Sequence, residues 1–403
     1  MISFSVKRIS LVLFGAMVLA GCKSISKTTV NSTEVPTDKK WSERMALTLM
    51  KKYPEAYMLD DKTEPKWDYV HGLVMIGFEE LYTKTKNPQY FNYVKGYADA
   101  TIDAKGNIPS YKFSSYNIDM IIAGHHLFDL YAKTKDDRYL TALKTLRSQL
   151  DTQPRTSEGG FWHKKIYPNQ MWLDGLYMGS PFYARYNSTF ENGNKLDDVA
   201  LQFELVQKNM VDPKTGLLFH GWDESREMPW ADPKSGNSPN FWSRSMGWYA
   251  MALVDVLDYF PKDHPKRAEL ISYLNDLSKA LVKYQDATGL WYQVTDQGSR
   301  EGNYLEASGS SMFAYALAKG VNKGYLPKTY KAAANKAFDG LVKNLITVSP
   351  EGYVTLTQVC AVAGLGGKPY RDGSYEYYIN EKKKDNDPKG TGPFILAALQ
   401  LDR

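Results

Sequence analysis

Leu81-Tyr82-Thr83-Lys84-Thr85-Lys86, followed by Tyr90, recurs as Leu130-Tyr131-Ala132-Lys133-Thr134-Lys135, followed by Tyr139, at an offset of 49 residues. Each copy joins two runs of helical periodicity. Val70, Leu73, Val74, Gly77, Phe78 and Leu81 form the stripe before the first copy, and Ile118, Ile121, Ile122, His125, His126 and Leu130 the stripe before the second. Helix, Lys-rich turn, second helix and a longer loop make one hairpin repeated along the chain. Fainter versions of the turn stand at Tyr259-Phe260-Pro261 and Gly324-Tyr325-Leu326-Pro327. Further helical runs are Ala250–Leu257, Leu270–Leu281, Met312–Ala318, Tyr330–Leu345 and Phe394–Leu401, so the domain is all-α.

The loops between hairpins repeat as well. Gly160-Phe161-Trp162-His163, Gly216-Leu217-Leu218-Phe219-His220, Gly289-Leu290-Trp291-Tyr292 and Gly352-Tyr353-Val354 each lead into a new helical run. Hairpins stacked open make a solenoid, and about six closed into a ring make an (α/α)6 barrel. Four loops rich in Trp, Tyr or His favour the ring, where they share one mouth. No second linker is visible from Trp41 to Arg403, so residues 41–403 read as one domain.

The start of the chain reads differently. Lys7-Arg8, an apolar run from Ile9 to Ala20 and the small-residue site Leu19-Ala20-Gly21-Cys22 make residues 1–22 a secretory leader. The run is shorter than the roughly 20 residues a bilayer requires. Leu-Ala-Gly-Cys resembles a bacterial lipobox, which implies cleavage before Cys22 and lipidation of its thiol. Residues 23–40, KSISKTTVNSTEVPTDKK, then read as a flexible tether. The reading is an exported, lipid-anchored protein in which Cys360 is the lone remaining thiol. Net charge is 50 − 45 = +5, with no basic block, which argues against nucleic acid as a partner. Twenty-nine tyrosines and nine tryptophans supply flat amphipathic rings of the kind that suit sugar faces.

Three constellations could carry chemistry. In Gln170-Met171-Trp172-Leu173-Asp174-Gly175-Leu176-Tyr177-Met178-Gly179, apolar neighbours would desolvate the Asp174 carboxyl, as a general acid requires; the other reading is a helix cap. Asp119, in Tyr116-Asn117-Ile118-Asp119-Met120, lies 55 residues earlier, about one repeat. In a ring the two would face one cavity, and paired carboxylates are the usual equipment for glycoside cleavage. Asn240-Phe241-Trp242-Ser243-Arg244-Ser245-Met246-Gly247-Trp248 offers a guanidinium fork between two stacking walls, or a structural cation–π contact. His163 and His220 sit in the repeated loops and are candidate site residues, whereas His125 and His126 read as core. None of the six histidines shows a metal-site spacing. Gly364-Leu365-Gly366-Gly367 lacks the Lys-Ser/Thr of a phosphate loop and reads as a turn.

Taken together, the stretches NID at Asp119, FWHKK at His163, MWLDGLYMG at Asp174, FHGWDES at His220 and NFWSRSMGW at Arg244 resemble the unsaturated rhamnogalacturonyl hydrolases, glycoside hydrolase family 105. The unsaturated glucuronyl hydrolases are cousins. The resemblance runs from about Trp41 to Leu401 and implies an (α/α)6 barrel. It implies a substrate carrying a 4,5-unsaturated uronate left by a polysaccharide lyase, in ulvan or rhamnogalacturonan fragments. It implies hydration of the C4=C5 bond, with Asp174 as proton donor and Asp119 assisting. His163, His220, Trp242, Arg244 and Trp248 would line the uronate subsite, with Arg244 receiving the carboxylate. No metal or organic cofactor is implied. The two aspartates are expected to titrate as a coupled pair. A conventional inverting glycosidase on saturated sugars, and a non-catalytic glycan-binding lipoprotein, are the alternatives.

Overall fold

The computed structural model describes residues 1–3 and 34–403. The expected leader, the lipidation residue Cys22 and the tether up to residue 33 lie outside the described residues. From Glu34 onwards the chain forms one compact unit.

Outer and inner helices alternate along it. The first three pairs, outer helix named first, are α1 (Trp41–Lys52) with α2 (Tyr69–Thr85), α3 (Pro88–Thr101) with the broken helix α4 (Asp119–Ile122) and α5 (Leu127–Thr134), and α6 (Asp137–Thr152) with α7 (Leu173–Phe190). Then come α8 (Leu196–Met210) with α9 (Ser243–Val256) and α10 (Arg267–Lys283) with α11 (Ala307–Asn322). The last pair is α12 (Tyr330–Asn344) with α14 (Pro388–Leu401), and a short helix, α13 (Tyr375–Asn380), lies in the loop between them. The inner helices touch in the cycle α2, α4, α7, α9, α11, α14 and back to α2. The ring expected from the repeat is therefore closed.

Burial separates the two layers. Every residue of α9 is buried, while α10 buries only the face carrying Leu270, Leu274, Leu277 and Leu281. A helix surrounded by neighbours is apolar all round, and one with a solvated face keeps an amphipathic stripe. The repeated Lys-rich turns are the hairpin bends. Lys86 and Lys135 both adopt left-handed backbone (φ 58° and 57°), and the Asn87 and Asp136 side chains that follow cap α3 and α6.

Two details differ from the expectation. The stripe from Ile118 to Leu130 is not one helix, because the chain tightens through Ala123–His126. There the Gly124 and His125 amides donate to the carbonyls three residues back. Here the backbone lies close against α2, where a Cβ on Gly72 would stand 2.4 Å from the Ala123 Cα. The expected tether also ends early. Val35 is 1% exposed, and its amide donates to the Glu351 carbonyl at 2.8 Å. A polar composition concealed this one apolar anchor. The ring closes on itself at the chain ends, where Asp402 accepts from Lys40 at 2.5 Å and from Lys84 at 2.6 Å.

The short strands lie in the long loops. β1 (Gln170–Trp172) pairs antiparallel with β2 (Gly221–Asp223), placing Trp172 opposite Gly221, and β3 (Ile346–Val348) pairs with β4 (Val354–Leu356).

Candidate active site

Strand β1 runs straight into α7, so Asp174 stands in the first turn of an inner helix. It is not a cap: the N-cap position is Trp172, and no side chain caps this end. Pairing with β2 brings the His220 carbonyl to the Leu173 amide at 3.0 Å. That contact sets the His220 ring beside Asp174, with Nε2 3.2 Å from Oδ2. The other ring nitrogen, Nδ1, is 2.7 Å from the Tyr378 hydroxyl. Burial drives the Tyr378 phenol well above its ordinary pKa, so it keeps its proton and donates to Nδ1. Burial also lowers the pKa of His220, against the opposing pull of Asp174. The ring is therefore neutral, with its proton on Nε2, the nitrogen nearer Asp174.

Asp119 occupies the equivalent first turn of α4. It is not a cap either, since Asn117 accepts the hydrogen bond from its amide. Its carboxylate is 11% exposed and lies 2.7 Å from Lys164 Nζ and 3.1 Å from His163 Nε2. Burial pushes this carboxyl up, but Lys164 and His163 together outweigh it and hold it well below the usual carboxylate range. Lys164 is raised in turn, the pull of Asp119 exceeding the effect of its own burial. The expected coupled titration of the two aspartates is thus not what the geometry gives, because Asp119 is locked as an anion by its own cation.

The loop before β1 builds this arrangement. The His163 amide donates to the Gln170 carbonyl, and the His163 carbonyl accepts from the Ile118 amide, tying the loop to the start of α4. The His163 ring stacks on Trp172 (4.6 Å between centroids, 13° between planes), and Tyr167 stacks on the same indole at 4.8 Å.

Asp119, His163 and Asp174 line one cavity of about 200 Å³, together with Tyr69, Lys164, Tyr167, Trp172, Met178 and Arg371. Small-molecule pockets commonly run to about 300–1,000 Å³, so this one suits a single sugar ring. Among the described residues no cluster of His, Cys, Asp and Glu is arranged to hold a metal ion.

His220, Trp242, Arg244 and Trp248, all expected to line the uronate subsite, do not line this cavity. His220 is fully buried and the other three are 1% exposed, in a layer behind the wall. Trp242 packs beneath His220 and Tyr378 and donates its indole N–H to Gln293 at 3.0 Å. Arg244 lies over the Trp242 ring at 4.6 Å and donates to the Cys360 carbonyl and to Ser308. Trp248 stacks on Tyr177 and meets the edge of Tyr69. The cause is the segment carrying Cys360, Tyr375 and Tyr378, which folds over Trp242 to form a small apolar cluster. His125 and His126 are packed in the interior, as expected of core histidines.

Several site residues escaped the sequence reading. Lys164 and Trp172 stood inside quoted stretches, next to His163 and before Asp174. Tyr378 lies 158 residues from His220 and Arg371 lies 204 from Tyr167, and neither carried a local signal.

A closed ring of helical hairpins with two aspartates in one mouth cavity is the frame of a glycosidase. The Glycosyl Hydrolase Family 88 model matches residues 41–403. A C. acetobutylicum glycoside hydrolase from family 105 superposes with a TM-score of 0.87 at 46% identity, covering 90% of this chain and 99% of that one. Protein Atu3128 of Agrobacterium fabrum is 39% identical over 226 residues, 55% of this chain and 96% of that protein. The unsaturated rhamnogalacturonyl hydrolase YesR of Bacillus subtilis is 30% identical over 257 residues, 62% of this chain and 70% of that enzyme. The chain belongs to Glycosyl Hydrolase Family 88, on the family 105 side of that group. It is a glycoside hydrolase, of the family that holds the unsaturated glycuronyl hydrolases.

Proposed function

We propose that this enzyme removes a 4,5-unsaturated uronate from the non-reducing end of rhamnose-containing oligosaccharides made by a polysaccharide lyase. The parent polymer is ulvan or rhamnogalacturonan. The observation that carries this reading is the unequal state of the two carboxyls. An inverting glycosidase needs one carboxylate as acid and a second as base towards water. Asp119, ion-paired at 2.7 Å with Lys164, is too weak a base for that second role. Among the described residues Asp174 forms no ion pair with a lysine or arginine, and the group against it is the neutral His220.

Hydration of an enol ether suits one working carboxyl. Asp174 gives its proton to C4, and the positive charge that develops spreads over C5 and the ring oxygen. Water adds at C5 and returns a proton to Asp174, whose anion is steadied meanwhile by the His220 Nε2–H. The C5 hemiketal opens by breaking the bond from C5 to the ring oxygen, and that oxygen remains on C1 as a hydroxyl. Expulsion of the other C1 oxygen then releases the shortened sugar and a 4-deoxy keto-uronate, with one water consumed. Asp119, permanently ionised, accepts hydrogen bonds from the sugar hydroxyls and fixes the ring.

The test is the ultraviolet absorbance of the conjugated ene-carboxylate in lyase-made fragments of both polymers. The enzyme should abolish it, and Asp174→Asn should slow that loss by about 10²–10⁴-fold with KM little changed. Unchanged absorbance on both fragment sets, or cleavage of saturated glycosides, overturns the reading. The leader and Leu19-Ala20-Gly21-Cys22 support export and lipid anchoring. Labelled palmitate should enter the full chain and be lost in Cys22→Ser; incorporation that survives the substitution refutes the anchor.

A further inference from the structure

An anionic sugar ring requires a cation at its carboxylate, and three cationic side chains stand in or near the cavity. Lys164 is neutralised by Asp119 at 2.7 Å. Arg244 lies behind the wall, against the Cys360 carbonyl. Arg371 is different. It lines the cavity, and each hydrogen bond it makes to a described residue goes to an uncharged oxygen. Its Nε donates to the Gly366 carbonyl at 2.8 Å, and its Nη2 to the Tyr167 hydroxyl at 2.9 Å and the Leu365 carbonyl at 3.1 Å. Nη1 donates to no described residue. Among the described residues no carboxylate forms an ion pair with Arg371, so its guanidinium has none to give up before taking one in the cavity that Asp119 and Asp174 also line.

The Gly364-Leu365-Gly366-Gly367 turn explains why it is held there. A Cβ on Gly364 would lie 2.4 Å from Nη1, and one on Gly367, at φ +81°, 3.2 Å from Nη2. The guanidinium therefore rests directly on bare backbone. Two loop carbonyls and the Tyr167 hydroxyl fix its plane before any ligand arrives. A fork that is oriented in advance and has no ion pair to break gains the whole of a charge-assisted contact when a carboxylate binds.

We propose that Arg371, seated on this glycine turn, is the residue that recognises the carboxylate of the uronate and thereby selects a free acid over a neutral sugar. This rests on the reading under Proposed function and deepens it. Docking the C5 carboxylate on Arg371 fixes which part of the ring lies within reach of Asp174. Arg371 is thus a binding residue that also orients the double bond.

The test compares an unsaturated disaccharide as the free acid and as its methyl ester, which removes the charge and keeps the chromophore. The intact enzyme should prefer the acid by roughly 10- to 100-fold in kcat/KM, mostly through KM. Arg371→Met should lose that preference by slowing the acid and leaving the ester nearly unchanged. Arg371→Lys, which keeps charge without the planar fork, should fall between them. Equal losses on both substrates, or an acid preference that survives in Arg371→Met, overturn the assignment. Failure of the intact enzyme on both substrates overturns the functional reading itself, a different result from turnover without discrimination.

Discussion

Replacing Lys164 by Met tests the electrostatics of the site directly. The ammonium lies 2.7 Å from a carboxylate that is nearly sealed from water. At an effective dielectric of about 20, that separation corresponds to about 6 kcal/mol of attraction, part of which desolvation cancels. Removing one partner of such a pair destabilises a protein by about 3–5 kcal/mol, and His163, remaining at 3.1 Å, puts the expectation near the lower end. The pH dependence is the sharper readout. In the native protein Asp119 is held below its unfolded value of about 3.9, so its contribution is present above that pH and lost as pH falls through the lower folded value. Lys164, raised, contributes below its unfolded value of about 10.4 and loses that only as pH rises through the folded one. In Lys164→Met burial prevails and Asp119 rises above 3.9. The sign then inverts: a penalty stands at neutral pH and is relieved as the carboxyl takes up a proton. Urea unfolding at pH 8, 7, 6 and 5 should show a gap between the two proteins that narrows with acidification. Turnover by the variant should acquire a new acidic limb. A gap that stays constant with pH would refute the assignment of Asp119 as an anion held by Lys164.

Two further outcomes follow from buried groups. His126, which burial pushes down to about 3, is neutral in the fold and binds a proton on unfolding below pH 6.5. It should therefore remove about 1.4 kcal/mol of stability per pH unit between pH 6 and 4, and His126→Phe should make the slope of the whole protein shallower by about that amount in urea titrations; equal slopes refute it. Gly364→Ala should displace the Arg371 guanidinium and raise KM for the free acid by roughly tenfold with the melting temperature little changed; an unaltered KM shows that the glycine turn does not position it.

Much of the frame was written locally. The Lys-rich turns repeat because each hairpin needs a left-handed residue and then a cap, and one repeat separates the two aspartates because each begins an inner helix. Contacts that join distant segments leave no such periodic trace. Nothing around Tyr378 announces that its hydroxyl meets His220, and the Gly364–Gly367 turn gave no sign of the guanidinium it seats. Arg244 misled for the complementary reason. Its motif carries the right groups for a sugar, but a later segment covers it, and coverage is decided by the closed ring. The break between α4 and α5 was hidden likewise, since it lies where the chain packs against Gly72 on another helix.

The ring has a polarity as well as a shape. Six inner helices run parallel, and Asp119 and Asp174 show that their first turns gather at the mouth. Each helix leaves a partial positive charge at that end, and the chain answers it with acids: Asp68, Glu306 and Asp387 cap α2, α11 and α14, and Asp119 and Asp174 stand in the first turns of α4 and α7. The positive ends of the helices are thus largely met within the wall. What the charged terminus of an oligosaccharide encounters at the entrance is therefore decided by individual side chains, Arg371 among them, and not by a field of the whole ring.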